Sequence, residues 1–511
     1  MKVTWIRTVF RRRVLVILVL LIQIAFMVFL ITGTSRYFFY VDLLFRVVSI
    51  TVSVYVLNKQ KKPAFKFIWL FLIMLFPLFG GFMYIFFHTQ VYSRKLGKLI
   101  KKAEKNTAPF FLLPGNRLPD FIKKEAEFEA QANYLQNYAG YPVYMNTVQE
   151  YFPSGETFFK RVLEELEKAE RYIFMEFFIL KQGVMLDSII AILLEKAKQG
   201  LDIRVIYDDL GCFMSLPADY RNYLEENGIK CFVFNPFKPI LSSLQNNRDH
   251  RKIISIDGKV AFTGGLNLAD EYINAVERFG HWKDAAIMLK GEGAWSFTLI
   301  FLQMWSLRQK EKDDYEALYP WKESTCQIKS DGYVQPYADN PIDTENVGEH
   351  VYLQIINKAK KYLYINTPYL VVDDNLLSAL TLSAKSGVDV RIITPYRWDK
   401  WYVAIASRSY YRQLIAAGVK VYEYSSGFNH GKTFVSDDRI ATVGTSNLDF
   451  RSLYLHFECG VIVYRGSIIQ DVKNDFLVTI PVSKTITEKD CARNVFQRII
   501  PDVLRIFAPL M

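Results

Sequence analysis

The sequence predicts an α/β protein in which N-terminal transmembrane helices are followed by two pseudo-symmetric α/β domains sharing one cleft. Three observations carry this. Long apolar runs are confined to the first 90 residues. Beyond them, amphipathic helical patterns alternate with short apolar strand patterns, which argues for helices layered on sheet. That alternation is written twice, at offsets of 190, 187 and 180 residues along the chain. The expected divisions are a membrane region over 1–90 with two or three spans, a basic linker over 91–135, α/β domains over 136–320 and 321–485, and an amphipathic C-terminal segment over 486–511.

In the membrane region, Lys2, Arg7 and Arg11-Arg12-Arg13 precede Val14–Thr32, 19 residues interrupted by Gln23. That is long enough to cross a bilayer core, and no small-residue cleavage site marks it as a signal peptide. Ala64–Phe87 is a second such run, with Pro77, Gly80 and Gly81 inside. Tyr37–Leu57 lies between them and carries Asp42 and Arg46, which fits a third span or an interfacial helix. The basic residues give opposite answers for topology. Those at the N-terminus and at Lys59, Lys61 and Lys62 argue for one side, while Arg94, Lys95, Lys98, Lys101 and Lys102 argue for the other. The side of the membrane stays open.

In the α/β part, Phe159, Val162, Leu163 and Leu166 are spaced for one helix face, and Ile203–Tyr207 reads as a buried strand. The stretch Tyr172–Leu180 matches Tyr362–Leu370, and Ala197–Ile206 matches Ala384–Ile393. Slowly drifting offsets are what changes in loop length between duplicated domains produce. The segment over 308–335 is charged and polar and marks the break. Asn494–Met511 alternates apolar and basic residues around Pro501, the pattern of a helix lying on a membrane or on the protein.

The repeat carries a motif. His250-Arg251-Lys252 is followed by four residues, Asp257, six residues and Gly264-Gly265-Leu266-Asn267. His430-Gly431-Lys432 is followed by four residues, Asp437, six residues and Gly444-Thr445-Ser446-Asn447. Side chains two apart on a strand share a face, so each copy aims an imidazole and an ammonium at one spot. Small residues then allow close backbone approach, and an Asn offers an amide. Two copies meeting in one cleft would surround a phosphodiester with His250, Lys252, Asn267, His430, Lys432 and Asn447, with no metal needed. A lone His-x-Lys carries little information; two copies agreeing at every spacing, in a chain with six His, carry much.

Composition narrows the class. Hydrophobic residues make up 51% and aromatic residues 15% of the chain, high for a soluble enzyme. The net charge of +11 is concentrated in residues 1–105, which hold 17 Lys and Arg against Asp42 and Glu104. That excess suits anionic headgroups. Residues 106–511 hold 46 basic and 50 acidic side chains, without the basic footprint of a nucleic-acid binder. The five Cys are scattered without a Cys-x-x-Cys pair, so they read as buried apolar residues.

The doubled motif resembles that of the phospholipase D superfamily, and within it the chain is similar to bacterial cardiolipin synthases. Further residues carry the likeness: Tyr207-Asp208-Asp209-Leu210-Gly211, Asn247–Lys252, Gly280-His281-Trp282-Lys283-Asp284, Thr367-Pro368-Tyr369, Asn447–Ser452 and Phe457-Glu458. It covers roughly residues 64–511. The first span is additional to the family pattern, and Thr445 stands where the family has Ser. The resemblance implies two phospholipase D-like domains, no cofactor, and transfer of a phosphatidyl group between two phosphatidylglycerol molecules through a phosphohistidine. Partners would be phosphatidylglycerol and anionic lipids of a bacterial plasma membrane spanned more than once. A membrane phospholipase D, or a transferase with another headgroup acceptor, would use the same residues.

The resemblance also suggests roles. His250 would be the nucleophile and His430 the acid and base; the residues alone do not distinguish them. Asp284 and Glu458, some thirty positions after each His, would fix the imidazole tautomers. Asp257 and Asp437 belong to the catalytic motif, their own part being to brace the turn. Glu176 and Asn366 occupy matching places at strand ends, either facing the cleft or satisfied within the core.

Overall fold

The computed structural model describes residues 36–59, 62–76, 80–81, 84–85, 91–237, 243–308, 313–321, 328–491 and 495–510. Two units separate, one made mainly of residues 1–96 and the other of 97–236 with 247–509.

In the first unit, helix α1 (Arg36–Leu57) and helix α2 (Pro63–Leu75) pack through Val52, Val56 and Ile73, with Tyr84 in the same apolar cluster. Among the described residues no helix is long and apolar enough to cross a membrane. This departs from the expected spans. The run Ala64–Phe87 contains a helix of only 13 residues, which stops at Leu75. Pro77 follows, and the residue before a proline is pushed out of helical geometry; Phe76 has φ −132° and ψ 73°. The Tyr37–Leu57 segment lies within one 22-residue helix, its apolar pattern broken in the sequence by Asp42 and Arg46. Val14–Thr32 lies outside the described residues, as does Cys326.

The second unit holds two sheets with the same strand order. The first contains β1 (Thr147–Phe152), β2 (Tyr172–Phe177), β3 (Asp202–Asp208), β4 (Lys230–Phe234), β6 (Lys252–Ile256), β7 (Val260–Gly264) and β9 (Ala286–Gly291). Their order is β1-β9-β7-β6-β2-β3-β4, and β2, β3 and β4 run parallel. The second contains β10 (Tyr333–Asp339), β11 (Tyr362–Asn366), β13 (Asp389–Pro395), β14 (Lys420–Tyr424), β16 (Thr433–Ser436), β17 (Ile440–Gly444), β19 (His456–Tyr464) and β20 (Ser483–Ile486). It runs β10-β19-β17-β16-β11-β13-β14-β20, so each strand of the first sheet has a counterpart.

Burial explains the patterns. Every residue of β2 and of β11 is buried, as parallel strands covered on both faces require. Helix α3 (Gly155–Glu167) buries Phe158, Val162 and Leu166 against this sheet, with Phe159 and Leu163 partly buried beside them. Ser154 caps its start by accepting from the Thr157 N–H. Helix α4 (Ala294–Trp305) is buried at every position, as its largely apolar sequence demands, and packs on β2, β6, β7, β9 and β10. Cys212, Cys231 and Cys459 are buried without disulfides. Helix α5 (Val495–Ile506) contains Pro501 and lies on the protein, with Arg505 over the Tyr410 ring at 4.3 Å.

The halves are also stitched by short parallel pairs. β5 (Arg248–Asp249), which leads into the first motif, pairs with the start of β19. β8 (His281–Lys283) pairs with β15 (Gly427–Asn429), which leads into the second.

Candidate active site

The two motifs sit where these stitches end. His250 follows β5, and its N–H donates to the Phe457 carbonyl at 3.0 Å; His430 follows β15, and its N–H donates to the Lys283 carbonyl at 2.6 Å. Neither His lies within a strand. Each occupies the break just before its motif strand, at the end of the sheet where the parallel strands β2 and β11 finish. Ligands of open α/β sheets bind at this end.

Each imidazole is held by a carboxylate from the other half. His250 Nδ1 lies 2.9 and 3.1 Å from the two carboxylate oxygens of Glu458. His430 Nδ1 lies 2.6 Å from Asp284 Oδ2. The sequence offset between motif and acid is similar in both halves, but the contacts are exchanged between them. The cause is the stitching: β5 brings His250 beside β19, and β15 brings His430 beside β8.

Close packing fixes the carboxylates. A side chain at Gly265 would meet Asp284 Oδ1 at once, so this position must be glycine. Its counterpart Thr445 instead donates its hydroxyl to Glu458 and accepts from the Cys459 N–H. Asp284 also accepts from the Ala285 N–H at 2.9 Å and from the Trp282 indole at 3.3 Å.

Electrostatics shows the groups converging. Burial pushes the His250 imidazole well below its ordinary pKa, and Lys252, His456, Lys432 and His430 add to the effect. His430 is pushed down to about 4, by burial first and then by Lys432. Burial lowers Lys252 to about 8 and Lys432 to about 7. Burial alone would raise Asp284, but His430 and Lys432 hold its carboxyl below the usual range. The site is therefore a dry, cation-rich pocket with neutral imidazoles, built to receive an anion. Each Lys Nζ donates to the carbonyl of its own motif His at 2.6 Å, leaving two further N–H groups.

The remaining expected residues divide. Asn447 donates to Asp449 at 3.2 Å, and its carbonyl oxygen has no partner. Asn267 is engaged by the protein at both ends, accepting from the Ile179 N–H and donating to the Tyr272 hydroxyl. Asp257 and Asp437, members of the catalytic motif, stand apart from the two imidazoles. Each stands at the far end of its motif strand with positive φ, 54° and 56°. Asp257 accepts from the N–H groups of Glu170, Arg171 and Tyr172, and Asp437 from those of Lys360, Lys361 and Tyr362. Glu176 is fully buried, 3.6 Å from Arg251. Asn366 donates to Thr433 and accepts from Asn429.

Sequence reasoning missed six contributors. Arg251, the middle residue of the first motif, is buried and donates to the carbonyls of Glu458 and Asp339, tying the halves together. Its signal was the asymmetry with Gly431. Phe178 lies against His250, and Tyr272, Trp282 and Phe428 surround His430. His456 lies on the same strand face as Glu458, its ring 5.5 Å from that of His250. The period of two along β19 was the available clue.

The family model for the cardiolipin synthase, phospholipase D-like domain matches residues 162–288 and again 352–479, and a phospholipase D-nuclease N-terminal model matches 47–87. A cardiolipin synthase of Alkalihalophilus pseudofirmus is 35% identical, with the alignment covering 90% of this chain and 92% of that one. The chain belongs to the cardiolipin synthase family. A cardiolipin synthase of a Geobacillus species is 36% identical over 89% of this chain and 90% of that one. An uncharacterized Streptococcus mutans protein is 43% identical over 89% and 99%. A phosphatidylserine synthase of Haemophilus influenzae shares the fold, at TM-score 0.54 and 15% identity, covering 73% of this chain and 96% of that one. The two copies of the family's domain contain the two exchanged His–carboxylate partners: Asp284 in the first and Glu458 in the second.

Among the described residues one cluster has metal-ligand spacing: atoms of His250, His456 and Glu458 lie within 4.8 Å of one another. Its surroundings oppose a cation. Lys252, Arg451, Lys400 and Arg248 all bear on His456, and a metal would have to displace the His250–Glu458 bond.

Proposed function

We propose that the protein joins two phosphatidylglycerol molecules into cardiolipin and releases glycerol. The observation that carries this is the pair of buried imidazoles, each with Nδ1 on a carboxylate, in a chain of the cardiolipin synthase family. A carboxylate on Nδ1–H leaves the lone pair on Nε2.

In the first step His250 Nε2 attacks phosphorus. The N–P bond forms, the P–O bond to glycerol breaks, and protonated His430 gives its proton to the leaving oxygen. In the second, the terminal hydroxyl of another phosphatidylglycerol gives its proton to His430. Its oxygen attacks phosphorus and the N–P bond breaks. His430 ends protonated, as it began, and one ester replaces another, so no nucleotide is consumed. The free protein holds both imidazoles neutral; the arriving diester anion, together with Asp284, favours the imidazolium. His430 suits the acid role because its partner Asp284 is held ionised. The free N–H groups of Lys252 and Lys432, with the second amide N–H of Asn447, would hold the non-bridging oxygens as charge develops.

We also read the protein as a membrane protein. Apolar runs fill its N-terminal sequence. In the catalytic unit, Tyr396, Trp398 and Trp401 are exposed beside Arg397 and Lys400, the mixture found at membrane interfaces.

The test is purified protein in phosphatidylglycerol vesicles without CTP or a CDP-linked lipid. Cardiolipin and glycerol should appear in equal amounts. Cardiolipin formed only when a CDP-linked donor is added would overturn the reading.

A further inference from the structure

His456 is buried, at 9% exposure, yet neither ring nitrogen has a hydrogen-bond partner. Glu458 is the nearest carboxylate, and at 3.9 Å it is too far to bond Nδ1. Buried polar groups are almost always paired, so an orphaned imidazole beside the catalytic His250 points to a partner supplied by the ligand. The ring lies 5.5 Å from that of His250 and shares a strand face with the carboxylate that holds His250. Burial and the nearby cations Arg451, Lys252, Lys400 and Arg248 keep it neutral. A neutral imidazole keeps one acceptor nitrogen, which a hydroxyl can satisfy and a phosphodiester anion, having no proton to donate, cannot.

Resting on the family reading above, we propose that His456 binds the secondary hydroxyl of the acceptor's glycerol headgroup. The headgroup of phosphatidylglycerol is a vicinal diol. Its terminal hydroxyl reacts; the neighbouring one needs a partner inside a dry site. His456 takes that hydroxyl by accepting its hydrogen at the unprotonated ring nitrogen. This turns the reactive hydroxyl toward phosphorus on His250. His456 moves no proton in the reaction; it is a positioning residue that selects diol headgroups over simple alcohols.

The experiment uses vesicles holding equal amounts of phosphatidylglycerol and phosphatidylpropane-1,3-diol, which keeps the terminal hydroxyl and lacks the secondary one. The bridge of the dimeric product comes from the acceptor alone, so mass spectrometry reads acceptor choice as one oxygen more or less. Sites built to bond a hydroxyl reject analogues lacking it, so the wild type should favour the glycerol bridge by about tenfold or more. His456→Phe should bring the ratio near one, and His456→Gln, which keeps a donor and an acceptor, should restore part of the preference. A wild type with no preference, or a His456→Phe ratio equal to wild type, overturns the proposal. Loss of rate with an unchanged ratio means a structural role and overturns it too. Wild type that yields no bridged lipid from phosphatidylglycerol defeats the family reading instead, so the two failures are distinguishable.

Discussion

At the scale of single residues, the site works through protonation states that burial sets. Lys252 and Lys432, lowered to about 8 and about 7, are charged below those values and lose charge as pH rises through them. The rate kcat/KM, which reports the free enzyme, should therefore fall on the alkaline side between about pH 7 and 8. Under saturating lipid the bound anion holds the ammonium groups charged, so kcat should fall at higher pH than kcat/KM. A pH profile in which both decline together would contradict this. His430 bears on stability as well. Its folded pKa of about 4 lies below its ordinary 6.5, so the unfolded chain binds more protons between those values. The stability associated with the neutral ring is complete above pH 6.5 and lost as pH falls toward 4. The loss amounts to roughly 3 kcal/mol, and His430→Gln should flatten the acid slope of the unfolding curve by about that much. The motif residues were legible in the sequence because repeated spacing is visible there. Arg251 and His456 were not, because each acts through a neighbour more than 80 positions away or through the lack of one.

At the scale of elements, the motif strand is braced at one end and reactive at the other. Asp257 and Asp437 each gather three backbone N–H groups from the turn before the neighbouring strand. Losing charge-assisted bonds of this kind costs roughly 3 kcal/mol, so Asp257→Ala should lower Tm by several degrees, whereas Asp257→Asn, which tolerates positive φ, should lower it less. The measurement is a thermal melt alongside turnover of the folded fraction, which should stay near wild type. The two segments that follow β3 and β13 carry exposed apolar side chains: Leu210, Phe213 and Met214 in one, Tyr396, Trp398 and Trp401 in the other. Replacing Trp398 and Trp401 together by Ala should weaken sedimentation with anionic vesicles about tenfold or more, since a buried aromatic contributes about 1.5–3 kcal/mol. Turnover in detergent micelles should change much less. The strands and the helix Gly155–Glu167 were readable from apolar periodicity. The 13-residue limit of the Pro63–Leu75 helix was not read from hydropathy, because an apolar run says nothing about where backbone geometry at Phe76 ends it.

At the scale of the whole molecule, duplication is what creates the site. Asp284 serves His430, 146 positions away, and Glu458 serves His250, 208 positions away. Repeated spacing marked the two His, and family resemblance pointed to the two acids; which acid serves which His is decided by the stitching of β5 to β19 and β15 to β8. Double-mutant cycles on turnover should show Asp284 coupled to His430 and Glu458 to His250. Asp284 should add independently to His250, and Glu458 to His430. Strong Asp284–His250 coupling would mean the exchanged geometry is not the working one.

That exchange constrains ancestry as well as chemistry. A single-repeat forebear could have assembled such a centre only by pairing with its own copy about a two-fold axis, each chain lending the other its carboxylate. Once fused, the repeats were free to diverge, as Gly265 and Thr445 have, but never to part. A gene split between them would leave each imidazole waiting for an acid encoded on the other fragment.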